Sequence, residues 1–449
     1  MVLRPDSPVP PQTRAHLAAD ALYALMRQGA ERIPDQRHSK ATISLPDAFL
    51  SALALFALKD PSLLAFDARR NDQNMKRLFG IGQVPSDTQL REILDRVAPS
   101  DLRPLFRDVF RALQRGKVLE QYVFHDDSYL LLLDGTEYFS SPTVHCQSCL
   151  DKKDKKTGAV SYSHQLLGAV LAHPDHREVF PLCPEPIVKQ DGTTKNDCER
   201  NAAQRLLEQT RREHPHLRLI VVEDGLASNG PHIDTLKRLD MHFILGVKPG
   251  DHEFLFQHVV AAFERREVTV FSWPKEDEPE VTCEISFLHD VPLNASRQDL
   301  RVGFLQYAEY GSDGHRRKFF TWVTDLRITR ANALQLARGG RCRWKIENET
   351  FNTLKNQGYQ FEHNFGHGEE HLSEVLALIM MLAFLIDQVQ QHCCPLFQAT
   401  WKKVGTKRAL WEQIRSHFWH FNFATWRQLY EVILHELARN LPPPTLDTT

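Results

Sequence analysis

Two aspartates close apolar runs in the same way, Asp134 in "LLLLDG" and Asp224 in "IVVEDG". A carboxylate held where a buried strand meets a turn is rigid yet open to water. That suits a hard cation such as Mg2+, which takes oxygen ligands and keeps part of its hydration shell. The plain alternative for either residue is that Asp-Gly simply ends the strand with a turn. A third acid lies in "RCRWKIENETFNTLKNQGY", residues 341 to 359, where Glu347 and Glu349 stand two positions apart. On a helix turning ~100° per residue, Glu347 shares a face with Arg343, Phe351 and Leu354, whereas Glu349 falls nearly opposite, among Lys345, Asn352 and Asn356. Glu347 is therefore expected within the inward apolar stripe, where a carboxylate must be paired, metal-bound or neutral. Glu349 reads as solvated. Arg343, one turn before Glu347, either pairs with it or reaches a phosphate, and Lys355 flanks the same face. Three such carboxylates can hold two divalent ions ~4 Å apart, one activating water or a 3′-hydroxyl and the other stabilising the leaving oxygen of a phosphodiester.

The elements that must position these residues change character along the chain. Residues 1 to about 120 read as helical, with "DAFLSALALFALKD" apolar at helical spacing and "PSDTQLREILDRV" capped by Ser86 or Asp87. Strand-length runs follow: "YLLLLDGTEYF", broken at Asp134-Gly135, then "HQLLGAVLAHP" and "EVFPLCPEPI" joined as a hairpin. Helix, strand, helix, strand come next in "CERNAAQRLLEQTRREHP", "LRLIVVEDGLA", "PHIDTLKRLD" and "HFILGVKP". This order predicts an α/β fold, a mixed sheet with helices on its faces. From about Gly250 to Thr324 short strands with polar turns predict a β-rich insertion, and helical patterning returns from "RANALQLA" to the aromatic-rich segment ending near residue 440. The expected regions are 1–120 helical, 121–249 the first part of the core, 250–325 the insertion, 326–392 the second part of the core with the glutamate helix, and 393–449 a helical C-terminal region. The tail "LPPPTLDTT" is expected to be loose.

Composition narrows the classes. A chain of 449 residues with 42% hydrophobic content can bury a large core. Its opening, "MVLRPDSPVPPQTRAH", has no apolar run behind a basic cap, so no signal peptide is expected. The longest apolar run, Val375 to Ile386, is shorter than the ~20 residues of a membrane span and predicts a buried core helix. Eight cysteines in so long a chain make no disulfide framework and point to a reducing cytoplasm. A net charge of −2 excludes a generally basic nucleic-acid coat. Any contact with phosphate must come from local clusters: "DKKDKK", "HRRK", "RGGRCR" and "WKKVGTKR". Singly, each reads as a solvated surface. There is no G-x-x-x-x-G-K-[ST] loop and no G-x-S-x-G elbow, which argues against an ATP-driven motor and an ordinary serine hydrolase.

The motifs "LDGTEYFSS", "VVEDGLASN", "ILGVKPGDH" and "RWKIENETFNTLKNQGY", between Leu131 and Phe361, resemble the DDE transposases of bacterial insertion sequences. The resemblance implies an RNase H-like catalytic core with a β-strand insertion between the second aspartate and the glutamate. It implies Asp134, Asp224 and Glu347 as the catalytic, metal-binding triad, with two Mg2+ ions per site and Mn2+ as a substitute. Arg343, Lys355, Arg341 and Lys248 become the basic residues that contact DNA. Two positions depart from the pattern: Gly340 stands where relatives carry a tyrosine, and Lys355 comes one residue late. An aromatic residue of the insertion can stack on a flipped base in such enzymes, and Trp273 and Trp322 are the residues here, each with a core role as its alternative.

The implied activity is binding of terminal inverted repeats, metal-dependent cleavage at the element's ends and transfer of the 3′-hydroxyls to target DNA. The implied partners are both DNAs and a second copy of the chain on paired ends, with no membrane, in a cytoplasmic protein that joins the nucleoid when bound to DNA. The rivals are an RNase H-like nuclease without strand transfer and a catalytically inactive DNA-binding derivative. A weaker signal is "HCQSC", where His145, Cys146 and Cys149 with Cys183 or Cys198 could make a tetrahedral zinc site.

Overall fold

The computed structural model describes residues 11–37, 41–189 and 197–435, so the extreme N-terminus and the tail expected to be loose lie outside the described residues. Strands occur, in chain order, at Val123–His125 (β1), Ser128–Ser141 (β2), Leu150–Lys153 (β3), Val160–Ala172 (β4), Phe180–Pro181 (β5), Glu185–Ile187 (β6), Leu219–Glu223 (β7), His242–Gly246 (β8), Thr269–Pro274 (β9), Thr282–Asn294 (β10), Arg297–Tyr310 (β11) and Arg316–Thr324 (β12). The chain forms two compact units, one of residues 1–121, 137–164 and 352–449, the other of residues 122–136 and 165–351.

The second unit is built on a mixed sheet in the order β4-β2-β7-β8-β12-β11-β10-β9. β2 pairs in parallel with β7, and β7 with β8, placing Leu132 beside Val222 and Val222 beside Ile244. Parallel neighbours need crossovers, and the helices Glu199–Glu213 and Gly230–Arg238 supply them before β7 and β8. Leu130, Leu131, Leu132, Ile220, Val221 and Val222 are fully buried, as expected of strands covered on both faces. β5 and β6 fold back antiparallel on β4, the hairpin read from 164–187. This is the mixed α/β order of an RNase H-like fold.

Two sequence expectations are corrected. β2 continues unbroken through Asp134-Gly135 to Ser141, so that dipeptide lies within a strand and makes no turn. The region after Gly250 opens with a helix, Glu253–Glu264, and its strands are long, with 14 residues in β11. β12 pairs antiparallel with β8, Val323 opposite Leu245, so the insertion extends the core sheet because β8 would otherwise leave an edge unpaired.

The first unit is mainly helical. Ser44 caps Leu45–Leu58 by accepting from the Asp47 amide, and Ser86, with Gln89, forms a capping box on Asp87–Asp95. One helix among the described residues, Leu372–Cys393, is long and apolar enough to cross a membrane by length and composition, but its most apolar stretch is entirely buried within the protein. It packs against Leu45–Leu58. The one acid near its end, Asp387, is matched by Lys59 at 2.5 Å, with both side chains almost wholly buried. The C-terminal aromatic segment, read as helical, forms two helices, Lys407–His420 and Trp426–His435. A β-hairpin of β3 and residues 160–163 of β4 completes the unit.

Candidate active site

Parallel pairing of β2 with β7 sets the first two acids level. Leu132 is beside Val222, so two residues further along each chain come Asp134 and Asp224. Asp224 caps the short turn after β7, its Oδ1 accepting from the Leu226 amide at 2.9 Å. Asp134, although inside a strand, lies at the point where β7 has ended, which leaves its carboxylate half-buried.

Glu347 reaches the same place from a helix of altered pitch. Residues 346–351 form a π-helix, wider than an α-helix, between Ala333–Cys342 and Asn352–Asn356. The wide turn lets Ile346, Thr350, Phe351 and Leu354 all face inward. Phe351 packs on β4 at Gly168, where a Cβ would meet the ring at 2.9 Å, so only glycine admits this approach. Glu347 is not in the buried stripe that ordinary helical spacing predicts; its side chain is 37% exposed and turned toward the other acids. Arg343 bridges two of them, Nη1 to Asp134 Oδ2 at 3.0 Å and Nη2 to Glu347 Oε1 at 2.7 Å. Glu349 is engaged elsewhere, accepting from Arg177 Nε at 3.1 Å. Lys345 donates to the carbonyls of His173, Pro174 and His176.

The electrostatics reflect crowding of like charge. Burial, then the charges of Glu347 and Asp224 against the opposing pull of Arg343, push Asp134 up to about 7. Burial works against the charge on Arg343, but its bond to Glu347 and the charges of all three acids more than offset this and raise its pKa. Negative charge exceeds what one guanidinium balances. A fourth acid, missed by sequence reading, lines the same cleft: Glu199, in the first turn of its helix, together with Leu133, Asp134, Glu223, Asp224 and His232. Its carboxylate occupies the space a Cβ on residue 135 would take. Burial, followed by Asp224 and Glu223, raises its pKa. Glu223 itself is paired with His232 at 2.6 Å. Only the folded topology brings Glu199 here, and no motif marks it. The acids offer oxygen donors on rigid elements, and with unbalanced negative charge these fit hard divalent cations.

The remaining predicted residues are placed as follows. Arg341 lies over the rings of Phe320 and Tyr307, at 5.2 and 5.6 Å. Lys248 is exposed, its amide donating to His252 Nδ1 at 3.3 Å. Lys355 belongs to the first unit, where it pairs with Glu362 at 2.9 Å. Trp322 is buried and Trp273 is half-buried, stacked on Phe271. Trp344, beside Arg343 and overlooked in the sequence, is 64% exposed, a ring of the kind on which bases stack. His145 stacks on Tyr162, Cys183 is buried against the Pro184 carbonyl and Cys198 is exposed, so none of the three joins Cys146 and Cys149.

Gly340, the departure from the tyrosine pattern, has a steric cause. A Cβ there would meet the indole of Trp322 at 2.4 Å. Gly340→Ala is expected to cost about 1–3 kcal/mol by overpacking, read as a lower denaturant midpoint at unchanged slope. Restoration of the wild-type midpoint by adding Trp322→Phe would identify the indole as the obstacle, and an unchanged midpoint in the single variant would remove the explanation.

Residues 146–385, more than half of the chain, match the family model described as the transposase DDE domain. The matched span includes Asp224, Arg343 and Glu347 and begins after Asp134. The search of curated proteins found no match.

Proposed function

Because the chain belongs to the family of transposases with a DDE domain, we propose that it binds the terminal inverted repeats of an insertion sequence, cuts the ends and joins the freed 3′-hydroxyls to target DNA. The observation that carries the reading is the convergence of Asp134, Glu347 and Asp224 on Arg343. In this proposal the three carboxylates hold two divalent ions, Mg2+ or, as a substitute, Mn2+. Bound there, such ions supply an activated water or 3′-hydroxyl and a Lewis acid for the leaving oxygen.

This chain's own residues do the rest. The parallel register keeps Asp134 and Asp224 level, so the geometry is in place before DNA arrives. Arg343 anchors a Glu347 oxygen and balances part of the charge, acting as a positioning residue. Asp134 holds the proton that must leave when a cation enters. Arg341, Lys248 and Lys355, with Arg343, are the proposed DNA contacts. Their part is to orient the duplex, since phosphate contacts fix register without reading sequence. The helical N-terminal region 1–120 contributes end recognition, residues 393–449 contribute assembly, and two copies of the chain hold the paired ends. The work takes place in the cytoplasm, at the nucleoid.

The test is a strand-transfer assay with pre-cut ends bearing 3′-hydroxyls, full-length protein, Mg2+ and a target plasmid. Joined products are expected. Cleavage of uncut ends without any joining would favour a nuclease, and end binding without either reaction an inactive derivative.

A further inference from the structure

We propose that the first unit carries a structural zinc site in which Cys146, Cys149, His164 and His367 are the four ligands. The four ligand atoms lie within 4.8 Å of one another. Sγ of Cys146 is 3.7 Å from Sγ of Cys149 and 3.3 Å from Nε2 of His164. Nδ1 of His367 is 3.2 Å from Nε2 of His164 and 3.8 Å from Sγ of Cys149. A tetrahedron with Zn–S of about 2.3 Å and Zn–N of about 2.05 Å has edges of roughly 3.8 Å between sulfurs, 3.4 Å between nitrogens and 3.6 Å between the two kinds. These four separations fall within a few tenths of an ångström of the corresponding edges. A disulfide is excluded as an explanation, because sulfurs 3.7 Å apart are far outside the ~2.05 Å bond.

The surroundings supply a second, independent sign. His164 is 1% exposed, and its Nδ1 faces Oε1 of Glu374 at 3.6 Å. Glu374 is 3% exposed, and neither of its oxygens has a hydrogen-bond partner. A buried carboxylate so placed is costly unless a nearby positive charge or donor answers it. Ligation through Nε2 puts the His164 proton on Nδ1, directed at Glu374, the carboxylate–histidine–metal arrangement that orients a ligating ring. Without a metal, two imidazole nitrogens 3.2 Å apart would have only each other and two weak thiol donors. Four protein ligands and partial to complete burial of each make the site closed, which is structural and not catalytic. Two thiolates with two imidazoles select zinc over the hard ions that suit the carboxylate cleft.

Binding costs two thiol protons, released to solvent as the Zn–S bonds form. Its consequence is a clasp between distant parts of the sequence. Cys146 and Cys149 lead into the hairpin of β3 and β4, which bears Lys152, Lys153, Lys155 and Lys156; His164 lies on β4; His367 precedes the long helix Leu372–Cys393. The start of that helix is already fixed by Asp95, whose carboxylate accepts from the amides of Glu369, Glu370, His371 and Leu372. The metal would tie the base of the lysine-rich hairpin to this rigid point.

The experiment uses full-length Asp134→Asn protein, so that ions in the carboxylate cleft are not counted, purified without a metal-affinity step and dialysed. Elemental analysis is expected to give about one zinc per chain. The double variant Cys146→Ser/Cys149→Ser is expected to lose at least tenfold, on the order expected when thiolate ligands are removed, and Cys198→Ser to lose none. Because the double variant could misfold, Co2+ is also added to chelated protein with the native cysteines. A tetrahedral ligand-field band with sulfur charge-transfer absorption is expected. Zinc retained in the double variant would overturn the proposal, as would protein that contains less than roughly a tenth of a zinc per chain and shows no tetrahedral Co2+ spectrum.

Discussion

Asp134→Asn, Asp224→Asn and Glu347→Gln are each expected to lower end cleavage and strand transfer by about 10³-fold or more, while leaving end binding within a few-fold of wild type. The substitutions keep size and shape, so the fold survives and the loss reports on charge. Each removes one anionic oxygen donor from a cleft where Asp134 and Glu347 share Arg343 and Asp224 lies within electrostatic reach of both Asp134 and Arg343. Residues acting as one unit are not additive, so the double variant Asp134→Asn/Glu347→Gln should be scarcely worse than either single one. Glu349→Gln is the internal control. Its carboxylate accepts from Arg177, so its loss should change cleavage less than about tenfold, the scale of a modest positioning defect. Cleavage and joining measured side by side with a mobility-shift assay decide the matter. Full activity in Glu347→Gln with none in Glu349→Gln would reverse the assignment of the two glutamates.

The legible part of this site was the part written in local spacing. Arg343 and Glu347 are four residues apart, and their meeting follows from helical periodicity even though the helix then widens into a π turn. The same periodicity overstated the burial of Glu347, because a wider turn advances by less than ~100° per residue and moves the side chain off the apolar stripe. Asp134-Gly135 resembles a turn in sequence and is a strand in the fold. Gly135 is needed for the space it leaves to Glu199, a reason no local pattern contains. Glu199 itself and the pair His164 and His367 were invisible for the same cause. The cysteine pair announces itself as C-x-x-C, but its histidine partners are 18 and 218 residues away from the cysteines they meet. Sheet order was largely readable from alternating helices and strands. That β12 would join β8 was not, since it depends on which edge the finished sheet leaves open.

Divalent-ion affinity at the carboxylate cleft is expected to fall about tenfold for each pH unit below about 7, because a cation must displace a proton that the folded protein holds. The proton belongs to Asp134. Burial, with the charges of Glu347 and Asp224, sets the Asp134 pKa at about 7 in the ion-free protein, against an ordinary value of 3.8. The sign of the stability effect follows from the same shift. Between about 4 and 7 the folded state binds more protons than the unfolded chain, so this group's contribution falls as pH rises through that window. The ion-free protein should therefore lose stability toward neutral pH, and a divalent cation should restore it by answering the charge that the departing proton exposes. Asp134→Asn removes the titrating group, flattening the stability profile and weakening the cation's effect together. Calorimetric titration with Mn2+ between about pH 5.5 and 8, in two buffers of different ionisation enthalpy, measures affinity and proton release at once. The expected outcome at the acid end is uptake of the ion with release of close to one proton. Affinity that stays constant over the range, with no proton released, would show that Asp134 is already ionised in the free protein and that Arg343 alone balances the cleft.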